Sequence, residues 1–162
     1  MAKIKETWRE KLGSTARRQN LPRVEAVDSK MAERFGEGTL VIPSPVEVDA
    51  LMKTVPKGKL MTINQIRAFM AQKYHTTYGC PMTTGIFVGM AAKAAEEEAQ
   101  EGKAEYTPYW RTLKGKGELN EKYPGGIAAQ AEKLEAEGHE IITDRTGKPK
   151  RVKGWEKKLV NV

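Results

Sequence analysis

Cysteine is nearly absent: Cys80 is the single thiol in 162 residues. A lone thiol excludes an internal disulfide framework and any multi-cysteine zinc site. Histidine is almost as scarce, and His75 and His139 show no metal-ligand spacing. Both read as surface residues, so neither metal nor other cofactor is expected. No stretch approaches the ~18 consecutive apolar residues of a membrane span, and no membrane partner is expected. The opening residues, MAKIKETWREK, carry no apolar core of the kind that marks a secretory leader. Together these absences lead to the expectation of a reducing, cytoplasmic setting.

What is present is positive charge. Lys and Arg number 28 against 21 Asp and Glu, a net +7, within a composition that is 39% hydrophobic and 30% charged. Those fractions are ordinary for a folded globular domain. The excess of cations points to a polyanionic partner, with nucleic acid the first candidate. It is concentrated near the C-terminus, where Asp144 to Lys158 hold seven Lys/Arg and two acids. That clustering is a stronger nucleic-acid signal than the total; its rival is a solvated tail without a partner.

The length suits one domain with an extension, or two very small ones. Residues 1–42 read as the extension and as partly helical. Ile4, Trp8 and Leu12 recur at helical spacing, and a second helix is expected from Val24 to Phe35, stopped by Gly36 and Gly38. This segment either packs on the main body or stays partly mobile. Residues 43–138 read as the main domain. Ser44, Pro45 and Glu47 form a capping box with proline at the first helical position. Thr62 and Gln65 repeat the capping spacing, opening a helix with Ile63, Ile66, Phe69 and Met70 on one face. Tyr74 to Pro81 reads as a turn. A third helix then runs from Met82 to Gln100, with Ile86, Phe87, Met90 and Ala94 assigned to its buried side. A further helix is expected over Ile127 to Glu137. In residues 139–162, Ile141–Ile142 and Lys150–Trp155 flank a polar turn and read as a basic β-hairpin with a tail. The fold class is therefore mainly α (α+β), with a helix-turn-helix core and a small C-terminal β-hairpin.

The order of marks in residues 55–127 resembles the DNA-binding domain of the O6-alkylguanine-DNA alkyltransferases. Val55-Pro56-Lys57-Gly58-Lys59 looks like the family's Ile-Pro-x-Gly turn, and Thr62 to Phe69 like its next helix. Thr84 to Ala92 looks like its recognition helix. Pro108-Tyr109-Trp110-Arg111 stands in the place of its Pro-Cys-His-Arg motif. Tyr123-Pro124-Gly125-Gly126-Ile127 matches its Tyr-x-Gly-Gly-Leu loop. The resemblance implies a winged helix-turn-helix that docks in the minor groove of duplex DNA and turns a damaged guanine into a pocket. Residues 1–42, the insertion before Tyr106 and the basic hairpin lie outside it.

The departures remove the chemistry. The family's cysteine is Tyr109, its proton-relaying histidine is Trp110, and its orienting glutamate falls near Ala131. A thiolate nucleophile needs a base held by a third group, and a phenol of pKa ~10 is barely ionised at neutral pH. No catalytic residue is assigned, and the chain is expected not to be an enzyme. A subgroup of the family, the alkyltransferase-like proteins, also lacks the cysteine; its members carry an aromatic there, bind alkylated guanine without repairing it and hand it to repair partners. Tyr109 beside Trp110 is similar to that arrangement. The family's nucleotide-rotating tyrosine aligns with Ile63, and no arginine lies between Arg67 and Arg111 to fill a vacated base stack.

The resemblance thus implies a non-catalytic, alkyltransferase-like DNA-binding protein with duplex DNA as partner, a repair protein as a further one, and alkylated guanine as its target. The alternative is a winged-helix module that has lost DNA and serves protein or small-ligand interaction. For the DNA and base pocket the candidates are Tyr109, Trp110, Arg111, Tyr123, Thr83, Thr84 and Gly85. Tyr109 and Trp110 either line a pocket or fill it, and Tyr123 either lines it or anchors the Gly125-Gly126 turn. Gly85 and Gly89 either admit close backbone approach or serve helix packing. For phosphate the candidates are Lys148, Lys150, Arg151 and Lys153. Cys80 reads as a half-buried turn residue.

Overall fold

The computed structural model describes residues 5–162; Ile4, part of the N-terminal helix reading, lies outside them. The first helix, α1 (Trp8–Gln19), starts where the Thr7 hydroxyl accepts from the Glu10 amide, and ends at Asn20 in the left-handed conformation. Arg17 and Arg18 in its last turn oppose the negative end of the helix dipole. Strand β1 (Arg23–Ala26) follows, then helix α2 (Ser29–Phe35), strand β2 (Thr39–Ile42) and helix α3 (Pro45–Met52). The helix expected over Val24–Phe35 is therefore half strand. Asp28 accepts from the Met31 amide and caps a shorter helix, while Val24 pairs with Val41 in an antiparallel ladder.

The main body continues with β3 (Met61–Thr62), α4 (Ile63–Tyr74), β4 (Tyr78–Gly79) and the 20-residue α5 (Pro81–Gln100). Both capping boxes form, at Ser44/Glu47 and at Thr62/Gln65. The segment read as a turn before α5 carries β4, which pairs with β2 in parallel and completes a three-stranded sheet in the order β1-β2-β4. Residues 23–42 thus share a sheet with the helical body. Strand β5 (Thr112–Leu113) pairs in parallel with β3. Helix α6 (Gly126–Ala136) precedes the hairpin of β6 (Ile141–Thr143) and β7 (Pro149–Val152). The fold is mainly α with three small sheets, and the C-terminal hairpin is present.

Two apolar clusters hold these elements. The larger gathers Val41, Val48, Met52, Ile66, Met70 and Phe87 with their neighbours, where α3, α4 and α5 meet β2. The smaller joins Leu60, Leu113, Leu134 and Val152, with Trp155 at its edge. Trp110 packs against both. Gly117 is required by this seam: its φ is +76°, and a Cβ there would lie 2.3 Å from the Trp155 ring.

α1 lies along α5 and α3. Glu97 of α5 accepts from the Trp8 amide at 2.9 Å and the Arg9 amide at 3.1 Å, so an α5 carboxylate satisfies the open N-terminus of α1. Arg9 adds an ion pair to Glu101.

Candidate nucleic-acid interface

Tyr109, Trp110 and Arg111 form one 3-10 turn between α5 and β5. Thr107 holds its start, donating to Asp49 of α3 at 2.6 Å in a buried contact. Tyr109 is 1% exposed. Its ring meets Tyr123 edge-on at 5.2 Å and Trp110 edge-on at 5.3 Å, and its hydroxyl lies 3.3 Å from Glu96 Oε2. Burial, with Glu96 beside it, pushes the phenol well above its ordinary value, so it stays protonated. Tyr123 is buried as well and donates to the Thr112 carbonyl at 2.7 Å. Neither ring offers a face to an entering base in this conformation.

Arg111 turns inward. It grips Glu137 of α6 through Nε (2.9 Å) and Nη2 (2.6 Å), and its Nη1 donates to the Val55 carbonyl at 2.8 Å. It ties the Val55-Pro56 turn to α6 and has little left for a phosphate. Trp110, like Arg111, is partly exposed. With Tyr106, Pro108, Arg111 and Lys53 it lines a surface cavity of about 680 Å³. Lys133 lies over its ring at 5.0 Å. A second cavity of about 420 Å³ opens between Tyr109, the Pro124-Gly125 loop and α6.

The start of α5 divides the remaining candidates. Thr84 is fully buried, which removes it from any contact surface; the same face carries Phe87, Val88 and Ala91 into the core. Thr83 and Gly85 are half-exposed. A Cβ on Gly85 or Gly89 would meet nothing within 4 Å, so helix packing does not explain these glycines. Ile86, assigned above to the buried side, is 58% exposed, and Met82 is 67% exposed. The first turns of α5 carry apolar or small residues on every side, so periodicity alone does not choose a face there. Cys80 packs in the main core immediately before this helix.

On the hairpin, Lys148 and Lys150 are exposed and have no acidic partner within 4 Å among the described residues. Arg151 is half-exposed, and Lys153 faces Glu140 at 3.5 Å. Asp144 accepts from the amides of Thr146 and Lys148, which closes the turn between the strands.

His139, expected at the surface, is 4% exposed, with neither ring nitrogen bonded among the described residues. The turn after α6 buries it, with its amide donating to the Leu134 carbonyl at 3.1 Å. Burial lowers its pKa, and the charges of Lys158 and Arg111 add to that against an opposing effect of Glu137. The folded chain protonates His139 less readily than the unfolded chain, which binds a proton from about 6.5 downward. Stability should therefore fall as pH drops below that value, by at most about 1.4 kcal/mol per pH unit for one proton. Urea unfolding of the parent and of His139→Leu on either side of pH 6.5 checks this. Equal losses in both chains would assign the pH dependence to other groups.

No protein-family model and no curated protein matches this chain. Its fold does have solved neighbours. The chain is similar to S. pombe Atl1. The crystal structure of S. pombe Atl1 in complex with damaged DNA containing O6-carboxymethylguanine shares 19% identity, covers 73% of this chain and 94% of that one, and has a TM-score of 0.47. A second structure, of S. pombe ATL in complex with DNA, shares 20% identity over the same proportions, with a TM-score of 0.43.

Proposed function

We propose that this chain is a non-catalytic, alkyltransferase-like protein that binds duplex DNA. The observation that carries the reading is the α5 face. The helix in the place of the family's recognition helix leaves Met82 and Ile86 exposed and Thr83, Gly85 and Gly89 half-exposed, with open space beside both glycines, while Lys148 and Lys150 stand free on the hairpin. Small residues permit close approach to a groove, and exposed lysines supply sequence-independent affinity.

The absence of chemistry rests on Tyr109. The residue in the nucleophile's place is a buried, protonated phenol, its neighbour is an indole, and the one thiol sits in the core. The finer reading, recognition of alkylated guanine and handover to a repair partner, follows the family resemblance. Trp110 and Tyr106, not Tyr109, are the aromatic rings lining the 680 Å³ cavity, and they are the ones this reading assigns to a base turned out of the stack. The rival reading, an interaction module without DNA, draws on the filling of the pocket by Tyr109 and Tyr123.

Fluorescence anisotropy separates these readings, using one duplex with and without a single O6-methylguanine at several salt concentrations. Binding that weakens steeply with salt, by roughly 0.9 log units per tenfold salt for each phosphate contact, is expected. Tighter binding to the modified duplex would support lesion recognition. No binding at low salt would leave the interaction module. No methyl group should move to the protein; a methylated Cys80 would overturn the non-catalytic assignment.

A further inference from the structure

The exposed face of α5 continues from Met82 and Ile86 through Gly89 to Lys93, positions that share one side of a helix. Both of its ends carry cations laid on an aromatic ring. At the far end, Lys93 Nζ lies 4.4 Å and Lys11 Nζ 4.1 Å from the centroid of Trp8. At the near end, Arg67 donates to the Gly79 carbonyl, two residues before α5 begins. Its guanidinium and that of Arg34 lie over Phe35, at 5.7 and 5.5 Å. None of these four cations has a carboxylate within 4 Å among the described residues. Trp8, Lys11, Arg34 and Phe35 all come from the N-terminal 42 residues.

Nearby acids are engaged elsewhere. Glu97 holds the first amides of α1, Glu101 pairs with Arg9, Glu96 faces the Tyr109 hydroxyl, and Asp28 caps α2. An apolar helix face bracketed by unpaired cations is complementary to a grooved polyanion. Methionine and isoleucine are also among the residues that minor-groove proteins press between base steps. From Met82 to Lys93 the helix rises about 16 Å, close to five nucleotide steps along one strand. The two ends therefore meet different phosphates of one site.

We propose that the N-terminal segment is part of the DNA interface. Lys11 with Lys93 at one end of α5, and Arg34 with Arg67 at the other, bind backbone phosphates on either side of the Met82–Ile86 face. This inference rests on the DNA-binding reading above. The Trp8 and Phe35 rings hold the cations in place, so less side-chain freedom is lost on binding than for a free lysine or arginine.

The test is a triple variant, Lys11→Gln, Lys93→Gln and Arg34→Gln, compared with the parent and with Lys148→Gln/Lys150→Gln on one unmodified duplex. Circular dichroism melts verify that each chain folds. The triple variant should lower the slope of log affinity against log salt by roughly 0.9 per lost contact, so about 2.7 in all. In the parent, bound duplex should slow acetylation of Lys11 and Lys93, read by mass spectrometry. If the parent and triple variant bind with the same salt slope while the hairpin variant weakens, the N-terminal segment is outside the interface and the DNA-binding reading stands. If the parent binds no duplex, both fall together.

Discussion

Replacing Tyr109 with alanine is expected to lower the unfolding free energy by about 3–5 kcal/mol. The ring is fully enclosed, touches Tyr123 and Trp110 edge-on, and sits in the main core cluster. Its loss leaves a cavity that two other rigid aromatics cannot refill. In a domain of this size each kcal/mol moves the melting temperature by about 2–4 °C, so a drop on the order of 10 °C should appear by scanning calorimetry. Tyr109→Phe keeps the packing and loses only the 3.3 Å contact to Glu96, at about 0.5–1.5 kcal/mol. A residue that served chiefly to stack on a flipped base would behave otherwise: alanine would leave the melt unchanged and abolish discrimination between modified and plain duplex. Tyr109→Cys puts a thiol at this position without the groups that would activate it. The thiol would lie buried beside an indole that accepts no proton, and methyl transfer should remain absent.

The same residue shows where sequence reading stops. The sequence singles out Tyr109 by its neighbours Pro108, Trp110 and Arg111, but whether the ring opens or closes a pocket depends on Tyr123 and Glu96, which meet it only in three dimensions. Local signals transfer well. The capping boxes at Ser44 and Thr62 are closed by side chains three residues apart, and both form. The hairpin turn is set by Asp144 and Gly147 within a few residues. Long-range signals do not transfer. Val24 lies in a strand because Val41 is opposite it, and helical spacing from Val24 to Phe35 holds no trace of that partner. His139 is buried by the turn after α6, and nothing beside it in the chain predicts this. Ile86 faces out because the docking face of α5 is set by the space around Phe87, Ala91 and Ala95, which spacing along the helix alone does not reveal.

The acids are distributed in a way that composition does not reveal. Glu47 joins Lys73 and Tyr74, Glu97 holds the start of α1, and Glu137 holds Arg111. Much of the negative charge is thus spent on internal joints, while Lys148 and Lys150 on the hairpin, like Lys11 and Lys93 at α5, are left unneutralised. A polyanion approaching those surfaces meets more positive potential than the net +7 suggests.

Arg111 makes the second large effect. Truncation to alanine removes the guanidinium bonds to Glu137 and to the Val55 carbonyl and strands the Glu137 carboxylate beneath the surface. Breaking a buried pair in this way costs about 3–5 kcal/mol. Lysine should not rescue it, because a single ammonium cannot span both carboxylate oxygens and the Val55 carbonyl. Removing both partners, as Arg111→Met with Glu137→Leu, should recover much of the loss, since no charge is then left buried. The pH dependence separates this account from simple loss of packing. Burial pushes the Glu137 carboxyl up, but the hydrogen bonds and charge of Arg111 outweigh it, so in the parent it lies below its ordinary value of 4.5. The stability from the pair is present above that value and is lost as pH falls through the folded one. In Arg111→Ala burial is opposed only by Trp110 and His139, the carboxyl moves up, and the stabilisation that the pair gave above the ordinary carboxylate range is lost. The gap between the two chains should therefore be widest near neutrality and narrow in acid. Urea unfolding at neutral pH and near pH 4 reads it directly. A gap that is the same at both would mean that Arg111 holds the Val55 turn to α6 by packing alone.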